Sequence, residues 1–175
     1  MKQWMIRIDQ GMQKFEKLLV WIGGGIILVM MMLITVDVFM RYVFNRPLES
    51  GIELVQFLFI GVVYFGISFV QAIKGHIRID FLTQKFPETV NRKLESAGYV
   101  IALFIVALIF WTTRAEAWSA YVTGDYSMGI IPYPLWPAKS AVAFGFFLLW
   151  IRLLIDFVMH LMKIETKSQD SVSLH

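Results

Sequence analysis

The feature that most constrains this sequence is a set of four apolar stretches, each long enough to cross a membrane as a helix. A helical crossing of the hydrocarbon layer takes roughly 20 residues, and the stretches from Leu18 to Val36 and from Leu54 to Ile73 contain no charged residue. Isolated strands would leave backbone groups unpaired in lipid, so these stretches predict helices. We expect the four membrane spans at residues 18–43, 51–73, 95–118 and 134–162.

The composition is typical of a chain that is surrounded by lipid rather than by water. Hydrophobic residues make up 58% of the 175-residue sequence and charged residues only 17%, and the mean hydropathy is +0.65. A soluble domain has about a quarter of its residues charged. We therefore predict an all-α integral membrane protein that forms a single membrane domain over residues 1–175.

The distribution of lysine and arginine predicts the orientation of the spans. The connection between the second and third spans is basic, and so are the segments before the first span and after the fourth. These basic residues are Lys2, Arg7, Lys14, Lys17, Lys74, Arg78, Lys85, Arg92, Lys93, Lys163 and Lys167. Because short cytoplasmic segments are enriched in Lys and Arg, we expect both termini to be cytoplasmic, with a polar cytoplasmic tail at residues 165–175.

Three segments outside the spans have patterns of their own. In residues 1–17, apolar side chains recur at three- and four-residue intervals, which predicts an N-terminal amphipathic helix in the cytoplasmic interface. The alternative is that this helix extends the first span into water. Residues 76–94 predict a second cytoplasmic interfacial segment, and residues 123–137, with two glycines and three prolines, predict a periplasmic loop.

Several kinds of site chemistry are excluded or disfavoured by the sequence. There is no cysteine, which rules out disulfides, thiolate metal sites and cysteine nucleophiles. The three histidines, His76, His160 and His175, suit neither haem ligation between helices nor a zinc site. The sequence lacks the clustered Lys and Arg residues that would predict a nucleic-acid-binding face. We accordingly predict no catalytic, cofactor-binding or metal-binding residues, and a protein that is not an enzyme.

Two pairs of opposite charges lie inside the predicted spans. Asp37 and Arg41 in the first span, and Arg152 and Asp156 in the fourth, are four residues apart and so share a helix face. Ionisable side chains in lipid are costly without a partner, so we interpret both as structural pairs. For Asp37 the alternative is a coupling-ion or proton site. Four spans with so few polar groups do not readily line an aqueous path.

Three motifs together resemble those of a known transporter family. They are DVFMRYVFNRPLESGIEL at residues 37–54, GHIRID at residues 75–80 and SMGIIP at residues 127–132. Each is similar to a motif at the corresponding place in the small membrane subunit (DctQ-like or SiaQ-like) of tripartite ATP-independent periplasmic (TRAP) transporters. The motif positions singled out here are His76, Asp80 and Pro132.

The resemblance implies a bacterial inner-membrane protein that works with two partners. A periplasmic binding protein would deliver an organic acid, such as a C4-dicarboxylate or a sialic acid, to a large membrane subunit that carries it with sodium by an elevator motion. The small subunit would hold the large one in place among the membrane lipids. Arg46, Glu49 and Glu53 would help the binding protein to dock; the alternative is that they only cap helices and pair locally.

Two other functions stay open at this point. A small homo-oligomeric transporter could use Asp37 for proton coupling, and then the purified chain alone would drive uptake. A membrane enzyme or redox subunit would need a bound chromophore or a cluster of catalytic polar groups, for which the sequence offers no pattern.

Overall fold

A computed structural model of the chain describes residues 2–46, 51–72, 88–128 and 132–162. Within these ranges the regular structure is four long helices: α1 (Lys2–Phe44), α2 (Gly51–Ala72), α3 (Glu88–Thr123) and α4 (Trp136–Leu161). Each is long and apolar enough to cross a membrane. The predicted all-α class with four spanning helices is confirmed.

The first helix is much longer than a membrane crossing requires. Its 43 residues extend over about 65 Å at roughly 1.5 Å per residue, about twice the thickness of the hydrocarbon layer. The residues before Leu18 are the first turns of this helix and continue into the predicted span without a break. Their placement in the membrane interface stays a prediction.

The third helix also begins earlier than the predicted span, at Glu88. It therefore includes the last part of the segment at 76–94 that was predicted to lie in the interface. Residues 73–87 lie outside the described part of the chain, as does the polar tail at 165–175.

The helices pack side by side in an order that differs from their order in the chain. α1 packs against α2, α2 against α4, and α4 against α3, while α1 meets α4 only briefly. The result is a row in the order α1, α2, α4, α3. We call the edge where α1 joins α2 and α3 joins α4 the hairpin end, and the edge where α1 begins and α4 ends the terminal end.

The close approach of α2 and α4 depends on a glycine. A Cβ atom on Gly145 would lie 2.5 Å from the carbonyl oxygen of Tyr64 and 2.7 Å from its Cβ. Both distances are far below van der Waals contact, so only glycine fits at this crossing. The two inner helices of the row therefore touch backbone to backbone here.

The contact between α3 and α4 is apolar and aromatic. Val106 packs with Leu149 and Leu153 in a buried cluster, which Ile67 of α2 also contacts. Nearer the hairpin end, the rings of Phe110 and Phe147 lie 5.4 Å apart between centroids. Burial of such side chains in dense packing holds α3 on the outer side of α4.

The connection from α3 to α4 is ordered by hydrogen bonds on both sides of its tip. Tyr126 and Pro134 form an antiparallel bridge, and Gly124 adopts a left-handed conformation with φ of 66°. Thr123 Oγ1 donates to Asp125 Oδ1 over 2.8 Å, and Lys139 Nζ lies 3.4 Å from Asp125 Oδ2. These two contacts hold the pKa of the Asp125 carboxyl below its usual value.

The outer helices of the row expose large apolar side chains over much of their length. On α1 these include Met32 and Phe39, and on α3 they include Phe104 and Trp111, each more than half exposed. Apolar surface of this extent suits lipid or another membrane subunit rather than water. In the described ranges the row has two such outward faces and no enclosed interior.

Candidate functional site

The polar centre of the molecule is built around Arg152, which α4 places inside the protein with its side chain 3% exposed. Arg152 Nη1 lies 2.8 Å from Asp9 Oδ1 and 3.8 Å from Glu16 Oε2, and Nη2 lies 3.2 Å from Asp156 Oδ1. One guanidinium is thus shared by three carboxylates, two of them on α1 and one on its own helix. A planar guanidinium with several donors is suited to such sharing.

Helix geometry explains why two acidic residues of α1 reach the same arginine. Asp9 and Glu16 are seven residues apart, which is nearly two full turns, so both side chains leave the helix on one side. Asp9 is 1% exposed and Glu16 is fully buried. Gln13, one turn from Asp9, donates from Nε2 to Asp9 Oδ2 over 2.9 Å and orients that carboxylate.

The second helix completes the site with two neutral polar side chains. Ser68 Oγ donates a hydrogen bond to Glu16 Oε1, and Gln71 Nε2 donates to Asp156 Oδ2 over 3.1 Å. Ser68 itself is fully buried. The set therefore joins α1, α2 and α4 through side chains that are buried, except for the half-buried Gln71. We call it the terminal cluster; its members are Asp9, Glu16, Ser68, Gln71, Arg152 and Asp156.

The position of the terminal cluster along the helices can be estimated from the helical rise. Arg152 is 16 residues from Trp136, which corresponds to about 24 Å along α4. A hydrocarbon layer is roughly 30 Å thick. On this scale the backbone of Arg152 lies within the span, near its terminal end, where an unpaired charge would be strongly unfavourable.

The terminal cluster is arranged to fasten helices rather than to carry an ion across. Its three carboxylates face one cation, and beyond these ion pairs neither Asp9 Oδ1 nor Glu16 Oε2 has a hydrogen-bond partner among the residues that the structure describes. Removing one partner of such a buried arrangement costs about 3–5 kcal/mol, because the remaining charge is left uncompensated. Among all the residues that the structure describes, no group of three His, Cys, Asp or Glu side chains is placed to hold a metal ion.

A second, simpler pair lies near the hairpin end on α1. Arg41 Nη2 donates to Asp37 Oδ2 over 2.8 Å, and the Arg41 side chain is 56% exposed while that of Asp37 is 12% exposed. We call these two residues the hairpin pair. Beside them is a cavity of about 330 Å³ between α1 and α2, whose lining includes Leu33, Val38 and Ile52. The contact between Arg41 and Asp37 lies within α1.

The remaining predicted positions are spread over the hairpin end or lie beyond the described residues. Arg46 is exposed and Glu53 is half-buried, at the end of α1 and the start of α2. Pro132 is exposed in the connection from α3 to α4. Glu49, His76 and Asp80 lie outside the described residues. The residues at the hairpin end therefore lie far from the terminal cluster, at the other end of the helices.

The terminal cluster contains residues that the sequence patterns did not single out. Asp9, Glu16, Ser68 and Gln71 belong to it, whereas the apolar stripe of the first turns does not face inward as a whole: Trp4 is 69% exposed. The available signal was the seven-residue spacing of the two acids. Without knowledge of Arg152 as their partner, that spacing had no interpretation.

Comparison with known proteins places this geometry in context. Residues 30–162 match the sequence model of a family described as tripartite ATP-independent periplasmic transporters, DctQ component. Over 99 residues, which are 57% of the chain, the sequence is 31% identical to the sialic acid TRAP transporter permease protein SiaT of Haemophilus influenzae (strain 86-028NP). That stretch is 16% of the permease protein, so the chain spans only a small part of this relative's length. The family match includes Arg152 and the hairpin pair and begins after Asp9 and Glu16.

Proposed function

Because the chain belongs to the family of DctQ components of TRAP transporters, we propose that it is the non-catalytic small membrane subunit of a binding-protein-dependent secondary transporter. It is a multi-pass protein of the bacterial inner membrane. In the proposed assembly, a periplasmic binding protein delivers an organic acid to a large membrane subunit. The large subunit moves it with sodium by an elevator motion, and the present chain holds the large subunit in position.

The observation that carries this proposal is the absence of a polar path along the row. In the described ranges, the buried polar side chains are Asp9, Glu16, Asp37, Ser68, Arg152 and Asp156. They belong to the terminal cluster, near the terminal end of the helices, and to the hairpin pair, near their hairpin end. An organic anion would meet no buried polar side chain between them, and a carboxylate without such partners is strongly disfavoured in lipid.

The side-by-side packing of the four helices is consistent with a role in holding the large subunit in position. An elevator subunit needs a wall that stays fixed while its moving part crosses the membrane. The backbone contact at Gly145 and the terminal cluster tie the inner helices to each other and to α1, which makes the row stiff. The exposed apolar faces of α1 and α3 offer surface for the large subunit and for membrane lipids.

The substrate class is proposed from the relatives. A relative of this chain is named as a sialic acid permease protein, and the family resemblance extends to carriers of C4-dicarboxylates. We propose an organic acid of one of these types, with sodium as the coupling ion. Substrate selection would reside in the binding protein and the large subunit.

The main test is reconstitution with and without a large TRAP membrane subunit. We expect the chain to co-purify with the large subunit and to give no substrate uptake in liposomes by itself. Uptake of an organic acid by the chain alone, driven by sodium, would overturn the proposal. Uptake driven by protons and lost in Asp37→Asn would replace it with a self-contained proton-coupled transporter.

Docking of the binding protein is proposed for the hairpin end, with Arg46, Glu49 and Glu53 as contributors. The basic segments predict that this end is periplasmic, and Arg46 is exposed there. Arg46→Glu should weaken binding-protein affinity and slow uptake, since a reversed charge faces the partner. Arg114→Glu, also near the hairpin end and exposed, is the matched control. Equal affinity in wild type and Arg46→Glu would remove Arg46 from the docking surface.

A further inference from the structure

The first turns of α1 separate their charges onto opposite sides. Among the described side chains from Trp4 to Trp21, the acidic residues Asp9 and Glu16 are buried, whereas the basic residues are all exposed. In the sequence, positive and negative charges are mixed along this stretch. Because Arg152 draws the acids inward, the charges on the outward surface of these turns are all positive.

The exposed cations form one stripe that ends in an aromatic residue. Arg7, Lys14 and Trp21 are seven residues apart in succession, and Lys17 lies three residues after Lys14 and four before Trp21. These spacings put all four on one face of the helix. Trp21 is 73% exposed. We call these four residues the cationic stripe.

The level of the cationic stripe in the membrane follows from distances along α1. Trp21 is 20 residues from Arg41, or about 30 Å along the helix, which is one hydrocarbon thickness. With Arg41 near one boundary, Trp21 lies near the other, where tryptophan is favoured. Lys17 and Lys14 then follow at roughly 6 and 10 Å beyond Trp21, which is the headgroup region.

The terminal cluster keeps this part of α1 close to the membrane. Asp9 lies 12 residues before Trp21, about 18 Å along the helix, yet its carboxylate contacts Arg152 over 2.8 Å. Arg152 belongs to the span of α4. This contact holds the first turns of α1 against the terminal end of α4, so the cationic stripe stays close to the membrane surface.

We propose that the cationic stripe binds anionic phospholipid headgroups of the leaflet at the terminal end. Lys14 and Lys17 supply the ammonium groups for the phosphates, and Trp21 rests at the boundary between headgroups and acyl chains. Each basic residue near an anionic surface contributes roughly a fivefold preference, which salt screens. The proposal requires only that the chain is inserted in a membrane, so it stands or falls separately from the role in transport.

Brominated lipids test the proposal directly, because bromine quenches nearby tryptophan. The full chain is placed in nanodiscs of phosphatidylcholine with 30 mol% phosphatidylglycerol, with bromine on either one lipid or the other. The contribution of Trp21 is the difference between wild type and Trp21→Phe. We expect brominated phosphatidylglycerol to quench Trp21 at least about twofold more, per mole of lipid, than brominated phosphatidylcholine, and the ratio to approach one in 0.5 M KCl.

A charge-matched pair of variants decides whether the stripe is responsible. Lys14→Gln/Lys17→Gln should bring the quenching ratio to about one, whereas Arg46→Gln/Arg114→Gln, which removes two exposed charges elsewhere, should keep the wild-type ratio. A wild-type ratio in Lys14→Gln/Lys17→Gln would overturn the proposal. If Lys14→Gln/Lys17→Gln also no longer co-purified with the large subunit while its quenching ratio stayed at the wild-type value, the stripe would bind a protein and not lipid, and the proposal would again be overturned.

Discussion

The terminal cluster and the hairpin pair use the same sequence pattern and reach different outcomes. Each contains an arginine and an aspartate four residues apart on one helix, at similar distances of 3.2 Å and 2.8 Å. In the terminal cluster the arginine is 3% exposed and is also in contact with α1. In the hairpin pair the arginine is 56% exposed, and the contact stays within α1.

The difference shows that partners from other helices, rather than the local pair, decide how much an ionic contact matters. A pair that water reaches is worth at most about 1 kcal/mol, because solvent screens the charges. A buried arginine shared by three carboxylates becomes indispensable once formed, since losing it leaves uncompensated charge inside the protein. The following predictions test this contrast in order of expected effect.

The largest effect is expected from Arg152→Gln. Three buried carboxylates would lose their shared cation, and we expect the free energy of unfolding to fall by about 3–5 kcal/mol. Unfolding of the detergent-solubilised chain by titration with SDS measures this change. Arg114→Gln removes an exposed arginine of α3 whose guanidinium lies 5.7 Å from the centre of the Trp111 ring, and it should stay within about 1 kcal/mol of wild type. Equal stability of the two variants would contradict the view that Arg152 fastens the helices.

Within the terminal cluster, we expect Asp9→Asn to cost more than Glu16→Gln. Asp9 lies 2.8 Å from the guanidinium of Arg152, whereas Glu16 lies 3.8 Å from it. Neutralising Asp9 should cost about 3 kcal/mol, and neutralising Glu16 about 1 kcal/mol or less. The same SDS titration applies. The reverse ranking would show that Glu16 is the main partner of Arg152.

A packing substitution sharpens the comparison by asking whether charge or shape fixes the inner helices. In Gly145→Ala the new methyl would meet Tyr64 at the distances given above, and relief of this overlap should cost about 1–3 kcal/mol. Gly98→Ala is the matched control, because a Cβ there meets nothing within 4 Å, and it should be neutral or slightly stabilising. Thermal unfolding of both variants in detergent distinguishes them. A neutral Gly145→Ala would mean that α2 and α4 separate freely.

The smallest effect is expected from Arg41→Gln in the hairpin pair. Because Arg41 is largely exposed and its partner is on the same helix, we expect a loss below about 1 kcal/mol. That loss should shrink further in 0.5 M KCl, while the loss in Arg152→Gln should not, since buried charges are little screened. SDS titration at two salt concentrations gives both values. A loss of several kcal/mol in Arg41→Gln would remove the contrast on which these predictions depend.

The sequence was sufficient for the features that depend on local pattern. Four apolar stretches of span length led to four helices, because lipid leaves the backbone no alternative. The four-residue spacing of Asp37 and Arg41 led to their contact in the same way. These features involve residues that are near each other in the chain.

The terminal cluster could not be predicted, because it depends on contacts between distant parts of the chain. Asp9 and Glu16 lie in turns whose apolar stripe predicted an amphipathic helix in the membrane interface and gave no sign that these acids would face the protein. The buried charge of Arg152 reversed that expectation, since pairing a charge inside a membrane outweighs burial of a few apolar side chains. The order of the row was equally hidden, because it is fixed by Gly145 meeting Tyr64.

The order of the row has a consequence for how the protein is made. During synthesis α3 emerges directly after α2 but packs against α4, which is produced later. α1 with α2, and α3 with α4, therefore form two helical hairpins that can enter the bilayer one after the other. Assembly is complete only when α4 arrives, because it carries both Gly145 for α2 and Arg152 for the waiting acids of α1. A chain that stops before α4 would therefore leave those acids without their counter-ion.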